Sequence, residues 1–473
     1  MMPLRNHSPL PFALAFSLVS QGLVLLFCAL FAFRLAETVR PFLMQGALSV
    51  LAGGGMLLLK KMQWKGVATT REAILILLSG YALLILPGTL PFLLIEPGYT
   101  ISDALFLSIS GYTATGTTVS MAALPPVLAC YHSAIQWLGS LLSAIALVVM
   151  LTVMNVGGRR AMMPGSRPGA VAVPQRSMIR MLILLYLGLT IAAILMLRWS
   201  GMGPIDSLCS GLAILASGYY QGGAVPPGLG FSAIILMLFM LIAGYGMPSL
   251  LWMGTRQAGA GDGQGKLLRF YLLGFMTIAL LCSAALFLNR GTDLPGSMSD
   301  GFLLVASCAG NCGLDTKGMS PWNDVLLPVV MALIMTGGLA ASAGGGLKMQ
   351  RIGVMFRSLW NVAIFNESRN NPLKCCGSDI DQRTTLSILS YIAVFGLMVL
   401  LGTLILSVYS NSLTDCAFLS ITALANYGHP MDPTLLPEGG KVLQGVLMLL
   451  GRLEIYPLLL WLMPLNGIHP EAN

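Results

Sequence analysis

Apolar runs near the ~20 residues that cross a hydrocarbon core recur along this chain, at 11–31, 41–60, 74–94, 181–197, 231–253, 267–288 and 386–406. Runs this long and this evenly apolar predict helices whose solvent is a bilayer. The first is followed by Arg34 and Glu37 rather than by a small-residue cleavage site, which reads as a retained first helix. Shorter apolar segments lie between the long runs, and these repeat. An aspartate leads each one and a glycine closes it: Asp103 to Gly116, Asp206 to Gly218, Asp300 to Gly313 and Asp415 to Gly428, with separations of 13, 12, 13 and 13 residues. The copies return at a period of roughly 100 residues, the signature of an internally repeated architecture.

Each short segment covers two to three helical turns, enough to enter a bilayer halfway but not to cross it. Aspartate is a good helix N-cap, so each helix is expected to start at a water-facing surface and aim its C-terminal end inward. That end carries the negative pole of the helix dipole, which stabilises a cation. Behind each helix comes a stretch rich in Gly, Thr, Ser and Asn: Thr113, Ala114, Thr115 and Gly116; Ser217 and Gly218; Asn311, Cys312 and Gly313; Asn426, Tyr427 and Gly428. Non-helical backbone at membrane depth is tolerated only inside protein or beside a water-filled cavity. Four such strands around one axis would present carbonyl oxygens to a dehydrated ion, so these residues are the candidate ion-binding filter.

The pattern therefore predicts an all-α integral membrane protein. Four pseudo-repeats of outer helix, pore helix, filter strand and inner helix surround a central pore, and an amino-terminal helical hairpin precedes them. The expected units are the hairpin at 1–70 and pore repeats at 71–165, 166–258, 259–376 and 377–473, giving about ten full spans and four re-entrant loops. A helical bundle whose loops merely contain Gly and Thr fits the composition but leaves the aspartate-to-glycine register unexplained.

Composition agrees: 56% of the 473 residues are hydrophobic and 9% charged, against roughly a quarter charged in ordinary soluble domains. The net charge of +8 would suggest a nucleic-acid partner in a soluble protein; here its placement counts more. Basic residues cluster in alternate loops: Lys60, Lys61, Lys65 and Arg71; Arg159, Arg160, Arg167, Arg176 and Arg180; Arg256, Lys266 and Arg269; Lys348, Arg351, Arg357, Arg369, Lys374 and Arg383. The positive-inside rule puts those loops, and the amino terminus with Arg5, in the cytoplasm. Arg34, Arg40, Arg198, Arg290, Lys317 and Lys441 run against the bias singly, and the intervening loops carry Asp103, Asp206, Asp293, Asp300, Asp415, Asp432 and Glu438. An acidic face of that kind concentrates cations, although water-facing loops are often simply charged. The cysteines lie mostly inside apolar runs, where they read as small hydrophobes. Cys308 and Cys312 lack a second metal-ligating pair, and Cys375 and Cys376 fall in a predicted cytoplasmic loop, where a structural disulfide is not expected. His7, His132, His429 and His469 form no ligand or catalytic spacing, and His429 reads equally as a pH-sensitive group at the fourth filter mouth or as a turn residue. A membrane-embedded enzyme would need acids, histidines or metal ligands on facing helices, and the chain offers no such cluster.

Two features lie off the filter. Residues 336–346, Thr-Gly-Gly-Leu-Ala-Ala-Ser-Ala-Gly-Gly-Gly, interrupt the third inner helix. Each glycine there costs about 1 kcal/mol relative to alanine in a helix, so the run is expected to loop beneath the filter as a gate, the other reading being a tight helix crossing. Arg452 and Glu454 sit inside the last apolar run, 446–463. Arg452 reads either as an electrostatic barrier facing the pore, or as half of a salt bridge with Glu454 or a neighbouring helix, or as a residue nearer the interface.

These motifs resemble the Trk/Ktr/HKT superfamily of potassium transporters, and most of all its bacterial TrkH-type membrane subunits. The segment Ser110-Gly-Tyr-Thr-Ala-Thr-Gly-Thr-Thr-Val119 resembles that family's first pore loop, Ala341-Ser-Ala-Gly-Gly-Gly-Leu-Lys348 its intramembrane gating loop, and Met448-Leu-Leu-Gly-Arg-Leu-Glu454 its fourth inner helix with a pore arginine. The resemblance implies a multi-pass protein of the bacterial inner membrane that takes up potassium and needs no cofactor in this chain. Potassium would be substrate, and the only metal, at the filter residues. It further implies a homodimer in membrane lipid on a cytoplasmic nucleotide-binding regulatory subunit, with Gly116, Gly218, Gly313 and Gly428 as filter glycines, Gly344, Gly345 and Gly346 in the gate, and Arg452 as the barrier. The second copy is one residue short and reads Ala216-Ser-Gly-Tyr, the third has Asn311-Cys312, and the first has Ala114 where threonine is often found in the family. Those departures leave a sodium-permeable or weakly selective paralogue as the alternative.

Overall fold

The computed structural model of the chain describes residues 10–60, 70–119, 124–153, 175–218, 220, 230–254, 261–290, 294–314, 326–342, 344–361, 363, 373–375, 378–380, 382–409, 412–429 and 436–454. Helix α1 (Leu10–Arg34) turns back along α2 (Arg40–Lys60). The two lie close because glycine faces the crossing: a Cβ on Gly22 would stand 2.6 Å from Val50 Cγ2 and 2.8 Å from the Gly46 carbonyl.

Four groups of helices follow, each with a short helix in the middle. In the first, α3 (Thr70–Gly88) and α4 (Leu90–Ile95) lead to the short α5 (Ile101–Tyr112), and α6 (Pro126–Val153) follows. The second runs α7 (Gln175–Trp199), α8 (Pro204–Leu215), α9 (Phe231–Tyr245) and α10 (Met247–Gly254). The third runs α11 (Gly261–Arg290), α12 (Leu294–Gly310), α13 (Leu327–Thr336) and α14 (Met349–Trp360). A two-stranded antiparallel hairpin, β1 (Leu373–Cys375) with β2 (Ser378–Ile380), precedes the fourth, which runs α15 (Gln382–Leu406), α16 (Leu413–Ala425) and α17 (Glu438–Arg452). Among the described residues that hairpin is the one departure from an all-helical chain.

Seven helices among the described residues are long and apolar enough to cross a membrane, fewer than the ten spans the apolar runs suggest. The difference lies in helices that follow the short ones. Helices α9 and α13 stop after 15 and 10 residues, at Gly246 and Gly337, whose φ angles of +91° and +61° end a helix at little cost only in glycine. The continuous helix expected over 231–253 is thus two helices joined at Gly246. Helix α17 has 15 residues, and 455–463 of the last apolar run lie outside the described residues.

The bend between α3 and α4 shows how irregular backbone is accommodated in such a setting. Proline has no N–H, so Pro91 cannot donate to the Pro87 carbonyl; Gln45 Nε2 does so from α2, at 2.5 Å. Nearby carbonyls receive Gln21 Nε2 (Leu84, 3.1 Å), Ser108 Oγ (Ile85, 2.8 Å) and Tyr131 Oη (Gly88, 3.0 Å). These donors serve carbonyls that lipid could not satisfy.

Several readings fall outside the described residues: the amino terminus with Arg5 and His7, the basic loop residues Lys61, Lys65, Arg159, Arg160, Arg167, Arg256 and Arg369, together with Lys317, Asp293, Asp432, Cys376 and His469. Two members of the fourth basic cluster do not face water. Lys348 and Arg351 are 1% and 0% exposed, because Lys348 holds the loop between α13 and α14 and Arg351 pairs with Glu454, as described below.

Glycines also let α6, α9 and α17 approach the short helices. A Cβ on Gly139, Gly244 or Gly451 would collide with the carbonyl of Tyr112, Ala309 or Leu424, respectively. Gly139→Ala is therefore expected to destabilise the protein by about 1–3 kcal/mol through overpacking, whereas Gly55→Ala in α2, with nothing near its Cβ position, should leave stability unchanged or slightly raised. Thermal unfolding of the purified variants in detergent compares the two.

Candidate functional site

The four short helices end in one and the same way. Ala114, Ser217, Asn311 and Asn426 have φ of 54°, 60°, 53° and 53°, the left-handed region that non-glycine residues seldom occupy. Each donates its N–H three residues back, to Gly111, Ile214, Cys308 and Ala423, and the next residue donates five residues back, from Thr115 to Ser110, Gly218 to Ala213, Cys312 to Ser307 and Tyr427 to Thr422. That pair of bonds is the Schellman ending, and it stops a helix while turning the chain sharply. Asp103, Asp206, Asp300 and Asp415 each lie 11 residues before the left-handed residue.

This common ending corrects the register of the second copy. Counted from the left-handed residue, Gly218 matches Thr115, Cys312 and Tyr427, and Tyr219 falls where the others have Gly116, Gly313 and Gly428. The copy is not one residue short; its glycine stands one place early. Gly116 and Gly313 have φ of 80° and 66°, whereas Gly218 has no such angle.

The aspartates do not serve as N-caps. Asp103 is the third residue of α5, capped by Thr100, whose hydroxyl accepts from the Asp103 N–H (3.2 Å) while the carboxylate accepts from the Thr100 N–H (3.0 Å). Asp415 donates its N–H to the capping Ser412 hydroxyl (3.3 Å), and Asp206 is the third residue of α8, where its carboxylate accepts from Tyr220 Oη (2.9 Å). Helix α12 begins at Leu294, well before Asp300. Lys441 on α17 reaches Asp103 at 2.6 Å. Burial works to raise the Asp103 pKa, but the hydrogen bonds from Lys441 and Thr100 and the lysine charge prevail and hold it below the usual carboxylate range.

The helix ends meet in a closed ring. Asn426 Nδ2 donates to Thr115 Oγ1 at 3.1 Å, joining the fourth to the first. Cys312 Sγ donates to the Ile214 carbonyl at 3.5 Å, joining the third to the second. Asn311 Nδ2 donates to the Ala425 carbonyl at 2.5 Å, and Tyr427 Oη shares a hydrogen bond with Ser307 Oγ at 3.2 Å, joining the third and fourth. The first and second meet where a Cβ on Gly218 would lie 3.1 Å from the Ala114 carbonyl. All the predicted filter residues are brought together here and all are buried. Thr113 Oγ1 turns back to the Ile109 carbonyl (2.8 Å), and Asn426 Nδ2 also reaches the Met448 carbonyl (2.9 Å).

The glycine-rich stretch lies against the third and fourth helix ends. Asn311 Nδ2 donates to the Gly345 carbonyl at 3.3 Å, and a Cβ on Gly345 would lie 2.6 Å from the Ala425 carbonyl. A Cβ on Gly344 would come within 3.0 Å of Asn311, while Gly346, at φ 85°, packs beside the Met335 carbonyl. Ala343 lies outside the described residues. Sequence reasoning missed what anchors this loop. Lys348 Nζ donates to Ser342 Oγ (2.8 Å) and to the Gly344 carbonyl, so a buried ammonium ties the loop to itself. Gln350 Oε1 accepts from the Ala340 N–H at 2.8 Å, and the Leu339 N–H caps the Gly244 carbonyl of α9 at 2.9 Å. A Cβ on Gly246, the joint of α9 and α10, would strike the backbone of Ala341 and Ser342. The two broken helices are thus docked break against break.

Arg452 and Glu454 each reach a distant part of the chain. Arg452 Nε donates to Ser143 Oγ on α6 at 2.8 Å, and Glu454 accepts from Arg351 Nη2 at 3.2 Å. The Arg351 guanidinium also lies 4.0 Å from the centre of the Tyr391 ring. Arg452 lines a cavity with Ser140, Ser143, Ala341, Ser342 and Gly344, on the loop side of the helix ends. Cys28, Cys130, Cys209, Cys282, Cys308, Cys312 and Cys416 are buried free thiols, and among the described residues no group of His, Cys, Asp or Glu is set to hold a metal.

Comparison with known proteins agrees with this architecture. A family model described as "Cation transport protein", TrkH, matches residues 40–202. The Trk system potassium uptake protein TrkH of Escherichia coli (strain K12) is 29% identical over 437 residues, covering 88% of this chain and 89% of its own length. The Trk system potassium uptake protein TrkI of Halomonas elongata is 27% identical over 408 residues and 80% of each chain. The crystal structure of the potassium transporter TrkH from Vibrio parahaemolyticus superimposes with a TM-score of 0.81 over 97% of this chain and 99% of that one, at 22% identity, and so shares the fold. In sequence and in fold alike, the chain is similar to TrkH-type potassium uptake proteins.

Proposed function

We propose that the ring of four helix ends is a potassium filter and that the loop over 336–348 is its gate, so that the chain takes up potassium across a bacterial inner membrane. The observation that carries this reading is the closed ring: four helices with identical Schellman endings aim their C-terminal dipoles and freed carbonyls at one place. The curated relatives are named as potassium uptake proteins over nearly their whole length, which supports potassium as the substrate. The units at 1–70, 71–165, 166–258, 259–376 and 377–473 then each carry one share of the pathway. The short helices begin at the outer face and the amino terminus is cytoplasmic, as the basic loops suggest. In this orientation the Lys441–Asp103 pair stands at the outer mouth, and the cavity lined by Arg452 lies between filter and cytoplasm.

The gate reading rests on the loop's anchoring. Gly344 and Gly345 press on the third and fourth helix ends, and the buried Lys348 holds the loop there. An ion leaving the filter meets the Arg452 guanidinium in the cavity below, a fixed positive charge that raises the barrier for cations. A homodimer in lipid, resting on a cytoplasmic nucleotide-binding subunit that moves this loop, completes the proposal. The second copy's Gly218-Tyr219 favours the alternative of weaker potassium selection, and a single assay separates the two. Rescue of a potassium-uptake-deficient host at low potassium, with potassium flux exceeding sodium flux in proteoliposomes, supports the first; sodium flux without rescue overturns it.

Two predictions follow from filter and gate. Gly116→Ser places a side chain on a left-handed residue of the filter, and should lower the potassium-to-sodium permeability ratio by about tenfold, the equivalent of about 1.4 kcal/mol; an unchanged ratio counts against the filter register. Lys348→Met and Arg452→Ala should each raise ion flux severalfold in proteoliposomes, the first by freeing the loop and the second by removing the barrier, and unchanged or lower flux would make both residues structural.

A further inference from the structure

In three of the four helix ends, the residue just after the left-handed turn carries a side chain that braces its strand against the preceding end in the ring. Thr115 in the first takes a hydrogen bond from Asn426 of the fourth. Cys312 in the third donates to Ile214 of the second. Tyr427 in the fourth bonds Ser307 of the third. The second end has Gly218 at this place and therefore no side chain with which to reach the first.

The missing brace comes from the other direction. A Cβ on Gly218 would fall onto Gln136 Oε1, with the Gln136 Cδ 3.1 Å away. Gln136 belongs to α6, the helix that follows the first end, so its carboxamide supplies a contact between first and second from the side of the first. The carboxamide is fully buried, and its Nε2 is held by His132 Nδ1 one helical turn away, at 3.2 Å, which fixes the direction of Oε1. We propose that Gln136 is a specificity-determining positioning residue: its carboxamide stands in for the absent filter side chain of the second repeat and holds the Gly218 carbonyl in register with the other three.

The inference rests on the filter reading, and its test separates the two. Potassium-to-sodium permeability ratios are measured in proteoliposomes for Gln136→Ala, Gly218→Ala, the double variant, and Gly116→Ser as reference. A ratio does not depend on how much protein inserts, so it reads the filter rather than the yield. Gly218 has no positive φ and an alanine there can keep its backbone, but with Gln136 present its methyl collides. Each single alanine variant should lose selectivity severalfold. The double variant, in which the alanine methyl takes the space the carboxamide left, should recover much of the loss, incompletely because the Ala114 carbonyl lies close. A double variant as poor as Gln136→Ala, or a Gln136→Ala ratio equal to that of the unaltered protein while Gly116→Ser loses selectivity, overturns the role of Gln136 and leaves the filter standing. If Gly116→Ser also keeps its ratio, the filter reading itself fails. Should Gln136→Ala not insert at all, insertion of the double variant supports the pairing, and failure of both overturns it.

Discussion

Everything in this molecule depends on four helices ending at one place inside an apolar body. A helix end leaves carbonyls without partners, and lipid offers none, so such ends survive only if protein or a passing ion satisfies them. Here the Schellman bonds take some of the carbonyls, and side chains of neighbouring ends take others: Asn311 caps Ala425 and Cys312 caps Ile214, while Asn426 reaches the Thr115 hydroxyl and the Met448 carbonyl of α17. What is left is aimed inward, where the dipoles add. The same geometry that is costly without a ligand is favourable with a cation, which is why the ring reads as a site and not as a packing accident.

The surrounding helices bend to serve this ring. Helices that follow the short ones come close only where glycine lets them, at Gly139, Gly244 and Gly451. Two of them break, at Gly246 and Gly337, and the breaks interlock: the loop after α13 donates to the Gly244 carbonyl while its own carbonyls are held by Lys348. A buried ammonium among backbone carbonyls is sensitive to anything that displaces one of them, since removing a partner leaves the charge uncompensated. The Arg351–Glu454 pair ties α14 to the end of α17 in the same manner. The loop and the ring of helix ends are linked through Asn311 and Gly345.

Much of this was legible in the sequence, and the failures have physical causes. The apolar runs and the recurring aspartate gave the repeated helical architecture, and the Gly, Thr, Ser and Asn stretches gave the residues of the ring. Anchoring the register on glycine misplaced the second copy, because what the four copies share is a backbone turn: Ala114 and Ser217 adopt it as Asn311 and Asn426 do, with no shared residue type to announce it. The aspartates looked like caps, but Thr100 and Ser412 do the capping three residues earlier. Lys348 and Arg351 looked like loop charges, since nothing in a one-dimensional pattern tells a water-facing lysine from one whose ammonium is wrapped in carbonyls. Glu454 lies beyond the helix that ends at Arg452 and has a φ of 50°; partners of the two residues, Ser143 and Arg351, lie hundreds and a hundred residues away.

The central claim is that the ring of helix ends holds potassium. Crystals soaked in thallium or rubidium, both of which mimic potassium and scatter anomalously, test it most directly. The account predicts anomalous peaks enclosed by the backbone after Ala114, Ser217, Asn311 and Asn426, diminished when sodium replaces the heavier ion. Anomalous density elsewhere in the protein with none at the ring would contradict it.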